Sequence, residues 1–169
     1  YAEQLRDKGL KAQFAIDTGM NRIGLDSDSP ETCERIIRKY APSFLLTGLF
    51  THLCVADTPI EKDFTVQQIE KFKVVVDRVK DLNLSHIHCM NSAGTLWCEP
   101  YGNSVRLGII LYGLKPDYCN VLPNGIRPAL KWKSVISMIK HINPGETIGY
   151  GRTYKAEKEM IIATIPTGY

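Results

Sequence analysis

The sequence predicts an α/β fold followed by a mostly β region, and three observations support this class. Short apolar runs alternate with amphipathic stretches as far as residue 116. Successive strand-like runs lie roughly 35 residues apart, which is the spacing of parallel strands joined by crossover helices. After Lys115 and Pro116 the helical period disappears, and prolines and Asn-Gly or Pro-Gly pairs separate short apolar runs. Apolar parallel strands of this kind fit either a barrel or an open sheet.

The first two predicted strands flank a helix. Residues 12–16 (Ala-Gln-Phe-Ala-Ile) and 44–52 have the apolar character of buried strands. Between them, Ser29 can cap a helix and Pro30 suits its first position, and we expect this helix to end before Pro42.

The remaining elements follow the same reasoning. Apolar residues at helical spacing predict a long amphipathic helix over 63–82. The other expected elements are strands at 87–90, 105–110, 134–140 and 159–164 and a short helix at 93–97. We place a boundary in the 116–130 interval, which gives a first domain at 1–120 and a second at 121–169.

Composition excludes several classes of protein. Lys and Arg exceed Asp and Glu by 21 to 18, and the +3 net charge is scattered, so no basic surface for nucleic acid is indicated. The longest uncharged apolar runs, such as 109–112 and 160–163, are far short of the ~20 residues that span a bilayer.

The five cysteines are odd in number and show no Cys-x-x-Cys spacing. This pattern favours free thiols in a reducing, cytoplasmic setting, or in the cytosolic part of a membrane-bound protein, over a disulfide framework. The sequence begins at Tyr1 without a Met or a signal-peptide pattern and stops just after an apolar run. We therefore expect a piece of a longer protein.

Polar, reactive or glycine residues follow the predicted strands, where the working residues of α/β folds gather. The segments concerned are 17–22, 51–52, 90–93, 105–108 and, in the β region, 149–151. Arg106 lies within an apolar run, and a buried cation needs partners that accept its hydrogen bonds. From Arg106 alone, a structural ion pair and a functional cation are equally good interpretations.

Seven motifs in series carry a resemblance that extends over essentially the whole chain. They are Asp-Thr-Gly-Met-Asn-Arg-Ile-Gly (17–24), Gly-Leu-Phe-Thr-His-Leu (48–53) with Ala-Asp (56–57), His-Cys-Met-Asn-Ser-Ala (88–93), Val-Arg-Leu-Gly-Ile-Ile-Leu-Tyr-Gly-Leu-Lys-Pro (105–116), Pro-Gly-Glu (144–146), Tyr-Gly-Arg-Thr-Tyr (150–154) and Ile-Pro-Thr-Gly-Tyr (165–169). In this order they resemble the alanine racemase family, including its serine racemase relatives linked to glycopeptide (vancomycin) resistance.

The resemblance implies a fold, a cofactor and a partner. The fold is a (β/α)₈ TIM barrel that holds pyridoxal 5′-phosphate, followed by a β domain, and 1–120 would be the carboxyl-terminal part of that barrel. The active sites would be shared in a head-to-tail homodimer. The implied activity interconverts L- and D-alanine or L- and D-serine for peptidoglycan precursors by two-base transfer of the α-proton.

The resemblance also assigns catalytic roles. Arg106 matches the arginine that faces the pyridine nitrogen of the cofactor. Arg22 matches the arginine near the cofactor's phenolic oxygen and the substrate carboxylate. Tyr150 matches the catalytic tyrosine that reaches the other subunit's barrel, and His52 matches the histidine that links this tyrosine to the pyridine-facing arginine.

Five more residues match positions around the cofactor phosphate and the substrate channel. Ser92 and the backbone of Gly108 and Ile109 match the phosphate site, where a hydroxyl and unhindered N–H groups suit a dianion. Asn91 fits a supporting role there. Tyr169 matches a tyrosine at the mouth of the substrate channel.

Two departures from the family pattern matter. The Ala-Val-Lys-Ala-Asn-Ala-Tyr type motif that carries the Schiff-base lysine is absent, so we expect the first barrel strands to lie outside this sequence. Ala15 stands where many alanine racemases have a lysine, often carbamylated, that orients the arginine matched by Arg22. This second departure leaves room for a serine-preferring relative.

Two other functions remain open. His86 and His88 are two apart and share a strand face, so with His52 they could ligate the zinc of a TIM-barrel hydrolase. A pyridoxal-phosphate-binding protein without racemase activity is the other alternative, and the β region after Pro116 argues against its single-domain form.

Overall fold

The computed structural model describes residues 4, 6, 8–117 and 122–168. The chain divides into two units, Tyr1–Ala129 and Leu130–Tyr169. The domain limits 1–120 and 121–169 stay a prediction.

The first unit contains a parallel sheet with helical crossovers. Its strands are β1 (Lys11–Asp17), β2 (Leu25–Asp26), β3 (Leu45–Phe50) and β4 (His86–His88), in the order β2-β1-β3-β4, and every pairing is parallel. Helix α1 (Pro30–Tyr40) precedes β3, α2 (Lys62–Arg78) precedes β4, and α3 (Ser92–Trp97) follows β4. The predicted α/β class is thus confirmed.

The helices cover one face of this sheet and form the core. The buried apolar cluster combines β-strand residues with the inner faces of α1 and α2. Its most buried members include Ile16, Leu49, Cys89, Ile37 and Phe72. Because side chains alternate along a strand, the other face of the sheet carries Gln13 of β1, Phe50 of β3 and His88 of β4.

Two glycines allow the strands of this unit to approach closely. A Cβ on Gly48 would lie 2.1 Å from the backbone oxygen of His86, and one on Gly24 would lie 2.5 Å from the backbone nitrogen of Asp17. Any larger residue at either position would push β3 from β4, or the chain near β2 from β1.

Two local predictions around α1 have different outcomes. Pro30 occupies the start of the helix, as predicted, and α1 ends before Pro42. Ser29 is the N-cap residue, as predicted, but its side chain forms no capping hydrogen bond. Instead, the backbone oxygen of Ser29 accepts hydrogen bonds from Thr32 N at 2.9 Å and Cys33 N at 3.0 Å.

The predicted strand at 105–110 is also wrong. Arg106 N donates to Met90 O at 2.9 Å, but the chain then turns at Gly108 (φ −114°, ψ −100°) into a 3₁₀ helix at Ile109–Tyr112. The ψ of Gly108 lies outside the β region, so an extended ladder cannot continue through it.

The second unit is built of antiparallel strands. Its strands are β5 (Met138–Ile142), β6 (Thr147–Ile148), β7 (Tyr154–Lys155) and β8 (Met160–Thr164), with β5 paired to β8 and β6 to β7. The predicted strand at 134–140 begins only at Met138, because the partner strand β8 ends at Thr164 opposite it. None of the helices in the described ranges is long and apolar enough to cross a membrane.

Candidate active site

The carboxyl ends of β3 and β4 bring Thr51, His52 and His88 around the guanidinium of Arg106. Arg106 Nη2 donates to Thr51 O at 2.6 Å and to His52 Nδ1 at 3.3 Å. Arg106 Nη1 donates to His88 O at 3.2 Å and also contacts His88 Nδ1. The guanidinium carbon lies 5.3 Å from the ring centre of Phe50, which adds a cation–π contact.

All of these acceptors are neutral. Among the residues that the structure describes, Arg106 forms no ion pair with a carboxylate within 4.0 Å. Burial lowers the pKa of Arg106, although a guanidinium keeps its charge under all ordinary conditions. The structural ion pair that the sequence left open for Arg106 is therefore not formed with any described residue. A half-buried cation that has hydrogen bonds but no such counter-ion is suited to an external acceptor.

His88 is held in one tautomer by its two neighbours. Because a guanidinium N–H can only donate, His88 Nδ1 must accept from Arg106 and the ring proton lies on Nε2. Nε2 then donates to Gln13 Oε1 at 2.7 Å, and the ring stacks on Phe50 with centroids 5.5 Å apart. Burial first, and then the charge of Arg106, lower the pKa of His88 from 6.5 to about 4. His88 is therefore neutral at physiological pH.

His52 is also a neutral acceptor. Burial lowers its pKa, and the charges of Arg106 and Arg22 act in the same direction. With Nδ1 accepting from Arg106, the proton of neutral His52 lies on Nε2, the nitrogen that faces away from this contact.

Ser92 and the backbone near Gly108 form a second group of donors. Ser92 Oγ accepts from Gly108 N at 2.9 Å and from Ile110 N at 3.5 Å, which leaves the Ser92 hydroxyl hydrogen free to donate elsewhere. The intervening Ile109 N–H is not bound by any acceptor in the described ranges. A Cβ on Gly108 would meet only Ser92 Oγ, at 3.8 Å. We call the Ser92 hydroxyl and the Ile109 N–H the Ser92–Ile109 donor pair.

This donor pair fits the phosphate of pyridoxal 5′-phosphate, and Arg106 fits its ring nitrogen. The fit rests on uncommitted hydrogen-bond donors beside open space, and on a half-buried cation without a counter-ion among the described residues. The N–H of Gly108 is already bound to Ser92, so Gly108 contributes space rather than a donor.

Asn91 supports this group without facing it. Its Oδ1 accepts from Gly94 N at 2.9 Å and caps α3, while its Nδ2 donates to Leu53 O at 2.9 Å. The amide therefore joins the end of β4 to the segment after β3, which positions the neighbouring Ser92.

Arg22 lies in an exposed turn after β1. Asp17 Oδ1 accepts from Gly19 N at 2.9 Å and from Asn21 N at 3.1 Å, and so fixes this turn. Arg22 lines a small crevice with Ala15 and His52, and its guanidinium forms no hydrogen bond with the described residues. Its placement near His52 fits a substrate-facing cation whose orientation depends on an anion.

The two tyrosines of the prediction belong to the second unit of the chain. Tyr150 begins a 3₁₀ helix in the second unit and is 90% exposed. Its hydroxyl makes no hydrogen bond with any residue that the structure describes. Tyr169 lies outside the described residues.

Comparison with known proteins decides the family. The N-terminal domain of alanine racemase matches residues 1–116, and the C-terminal domain of alanine racemase matches residues 129–169. The chain belongs to the alanine racemase family.

Individual members of the alanine racemase family agree with this assignment. The alanine racemase of Lacticaseibacillus paracasei is 36% identical over 166 residues, which cover 95% of this chain and 43% of that protein. The crystal structure of alanine racemase from E. faecalis matches with a TM-score of 0.77 and 34% identity, covering 98% of this chain and 44% of that one.

A histidine racemase from Leuconostoc mesenteroides also matches, with a TM-score of 0.70 and 30% identity over 98% of this chain and 45% of that one. The chain thus spans less than half the length of the relatives it matches.

The residues proposed for zinc do not form a metal site. His88 uses both ring nitrogens for Gln13 and Arg106, and His86 is exposed. The charge of Arg106 lowers the pKa of His52 and His88, and by the same repulsion it disfavours a metal cation. No group of three His, Cys, Asp or Glu that could hold a metal occurs in the described part of the chain.

No role was predicted for Gln13 or Gln68, which hydrogen-bond to His88 Nε2 and His52 O. Thr18 and Thr51 lie within the predicted polar segments 17–22 and 51–52, but neither was given a role of its own. Gln68 carried one usable signal. It lies on the inner face of α2, beside Ile69 and one turn before Phe72, where an apolar residue is expected. A polar residue on a buried helix face needs an internal partner.

Proposed function

We propose that the protein is a pyridoxal-phosphate-dependent amino-acid racemase that interconverts L- and D-alanine or L- and D-serine for peptidoglycan precursors. The observation that supports this most is the neutral hydrogen-bonded surround of Arg106, next to the Ser92–Ile109 donor pair. Such a pair of sites suits an aromatic cofactor with a phosphate at one end and a ring nitrogen at the other.

Four residues of this chain would hold the cofactor and the substrate. The Ser92–Ile109 donor pair would bind the phosphate, Arg106 the ring nitrogen, and Arg22 the phenolic oxygen together with the substrate carboxylate. When bound, pyridoxal 5′-phosphate supplies an electron sink for the charge left at the α-carbon when its proton leaves.

Arg106 would donate a hydrogen bond to the ring nitrogen without giving up its proton, because the pKa of a guanidinium is far above neutral. Thr51 O, His88 O and the two histidine Nδ1 atoms fix the plane of the guanidinium before the cofactor binds. This preorganisation avoids reorientation during the reaction.

Proton movement at the α-carbon would need two groups on opposite faces of the substrate. We assign one to Tyr150 of the partner subunit in a head-to-tail homodimer, and the other to a lysine that this sequence does not contain. A free phenol has a pKa near 10, so Tyr150 needs cationic or hydrogen-bonding neighbours to act as a base. His52, with its Nε2–H facing away from Arg106, can serve as one such neighbour.

Substrate preference is the finer part of the proposal. Alanine is supported by the names of the relatives, and serine by Ala15, where the arginine-orienting lysine of many alanine racemases is missing. Histidine is a third candidate side chain, because one structural neighbour is a histidine racemase.

The test uses the complete protein that carries this chain, purified with pyridoxal 5′-phosphate. L- and D-forms of alanine, serine and histidine are incubated in D₂O, and α-deuterium uptake and optical inversion are followed by NMR and chiral chromatography. We expect inversion and exchange for alanine or serine. Binding of the cofactor without exchange of any of the six substrates would contradict the proposal.

A further inference from the structure

Gln68 is a residue of α2 with a fully buried side-chain amide, and its hydrogen-bond partners are residues in or next to the candidate active site. Its side chain is 0% exposed. Gln68 Nε2 donates to Thr18 Oγ1 at 3.1 Å and to His52 O at 3.2 Å. Gln68 Oε1 accepts from Cys54 N at 3.0 Å and from Cys54 Sγ at 3.4 Å. One side chain thus holds the backbone on both sides of Leu53, directly after His52.

The same amide also reaches Thr51 through a second hydroxyl. Thr18 Oγ1 and Thr51 Oγ1 lie 2.7 Å apart, and both residues are buried. Because Thr18 accepts from Gln68, its own hydroxyl hydrogen is free to donate to Thr51 Oγ1. Thr51 and His52 are the residues whose O and Nδ1 accept from Arg106 Nη2. Gln68 is therefore connected to the guanidinium through Thr51 and His52, each of which is hydrogen-bonded on one side to this buried network and on the other to Arg106.

We propose that Gln68 is a positioning residue, which holds the segment 51–54 so that Thr51 O and His52 Nδ1 meet Arg106. The inference deepens the proposed function, on which its kinetic consequences rest. The geometric consequence, the place of the His52 ring beside Arg106, stands without it.

The physical reason lies in how segment 51–54 is otherwise held. This stretch follows the last residue of β3, so it has no ladder of strand hydrogen bonds. Outside the Gln68 network, Thr51 N donates to His88 O at 3.3 Å and Leu53 O accepts from Asn91 Nδ2 at 2.9 Å, but neither bond reaches the backbone of His52 or Cys54. Removing the Gln68 amide leaves Cys54 N and His52 O without their buried partners, and buried backbone groups without partners are costly. The segment would shift to find water, and His52 would shift with it.

Four variants separate positioning from simple packing in the complete protein. Gln68→Met keeps the length of the side chain but removes every hydrogen bond. Gln68→Glu, protonated when buried, keeps an acceptor and one donor and should rescue in part. Thr18→Val removes the hydroxyl that joins Gln68 Nε2 to Thr51 Oγ1, and leaves the bonds of Gln68 to His52 O and Cys54 in place. Val75→Ala is the matched control, because it also removes side-chain volume from the buried face of α2 but takes away no hydrogen-bonding group.

The first readout is the titration of the His52 ring by NMR in histidine-labelled protein without substrate, with His52→Gln used for assignment. In the unaltered protein, burial and the neighbouring arginines keep the pKa of His52 low. We expect it to rise by roughly 0.5 or more in Gln68→Met, by less in Gln68→Glu and Thr18→Val, and not at all in Val75→Ala. An unchanged pKa in Gln68→Met and Thr18→Val would overturn the inference, as would an equal rise in Val75→Ala.

The second readout is racemisation. We expect kcat to fall roughly 10- to 100-fold in Gln68→Met with little change in KM, because misplacing His52 and Arg106 slows chemistry more than binding. Partial recovery in Gln68→Glu supports positioning, and equal losses in Gln68→Met and Val75→Ala contradict it. If the unaltered protein racemises nothing, the proposed function fails while the titration still tests Gln68. If Gln68→Met does not fold, Thr18→Val carries both measurements.

Discussion

Arg106, at the strand ends of the first unit, and Tyr150, in a turn of the second unit, are both assigned to the proposed reaction but differ in how firmly they are held. Arg106 donates to four acceptor atoms, two of which belong to histidine rings in defined tautomers. The buried amide of Gln68 in turn holds the backbone of His52. Tyr150 is 90% exposed, and its hydroxyl has no hydrogen-bond partner in the described ranges.

The difference shows which of the proposed site residues are held in place by contacts within one chain. The residues proposed to hold the cofactor are fixed by local elements, because neighbouring parallel strands end at the same edge of the sheet. Tyr150 lies between Gly149 (φ 79°) and Gly151 (φ 68°), in a tight turn that exposes its side chain. An exposed tyrosine of this kind is available to act on another surface, as the proposed shared active site requires.

The largest expected effect belongs to Tyr150→Phe, which removes the phenol oxygen and leaves the ring. In the complete protein, α-proton exchange should fall roughly 10³-fold from the L-substrate and much less from the D-substrate, because one of two bases is lost. Deuterium uptake from each enantiomer measures this. Small and equal losses from both enantiomers would remove Tyr150 from proton transfer.

Arg106→Leu should have the next largest effect. It removes the cation and leaves Thr51 O and His88 Nδ1 without a donor, so racemisation should fall roughly 10²- to 10³-fold and the absorbance of the bound cofactor should change. Arg106→Lys is the matched variant, since it keeps the charge but cannot reach all acceptors. Its racemisation rate should lie between those of Arg106→Leu and the unaltered protein. A cofactor spectrum unchanged in both variants would show that Arg106 does not face the ring.

His88 makes stability depend on pH in a defined window. Its pKa is about 4 in the folded protein against 6.5 ordinarily, so the unfolded chain binds more protons between those values. The free energy of unfolding should therefore fall by about 2–3 kcal/mol as the pH drops from 6.5 to 4. Urea unfolding at several pH values measures this fall.

His88→Gln provides the comparison for that titration, since glutamine can still accept from Arg106 but does not titrate. It should remove most of this part of the pH dependence. The same slope in His88→Gln as in the unaltered protein would assign the pH dependence to other groups.

The smallest effect is expected for Ser92→Ala. It removes the hydroxyl that accepts from Gly108 N and can donate to the phosphate, so the affinity for pyridoxal 5′-phosphate should fall about 10-fold, consistent with the loss of one hydrogen bond to a charged group. Thr95→Ala, on the exposed side of α3, is the control. Equal affinities in the two variants would place the phosphate elsewhere.

The sequence predicted the strand–helix alternation and the strand ends well, because both depend on local periodicity and on parallel pairing. Within the first unit it was wrong about 105–110, where apolar residues indicated a strand but the backbone of Gly108 turns the chain. It also could not show that Arg106 forms no ion pair with a carboxylate in the described part of the chain, since that depends on which atoms the ends of β3 and β4 bring together. The motifs named Arg106, His52 and Ser92, whereas the partners of Gln68, and with them its proposed role, became visible only through its hydrogen bonds.

The most direct test of the account is the protonation of the cofactor's ring nitrogen in the complete protein. Pyridoxal 5′-phosphate labelled with ¹⁵N at the ring is bound, and its chemical shift is followed from pH 6 to pH 9. We predict the shift of an unprotonated, hydrogen-bonded pyridine across the whole range in the unaltered protein, and a different shift in Arg106→Lys. A protonated pyridinium signal in the unaltered protein would show that Arg106 does not hold the ring, and would contradict the account.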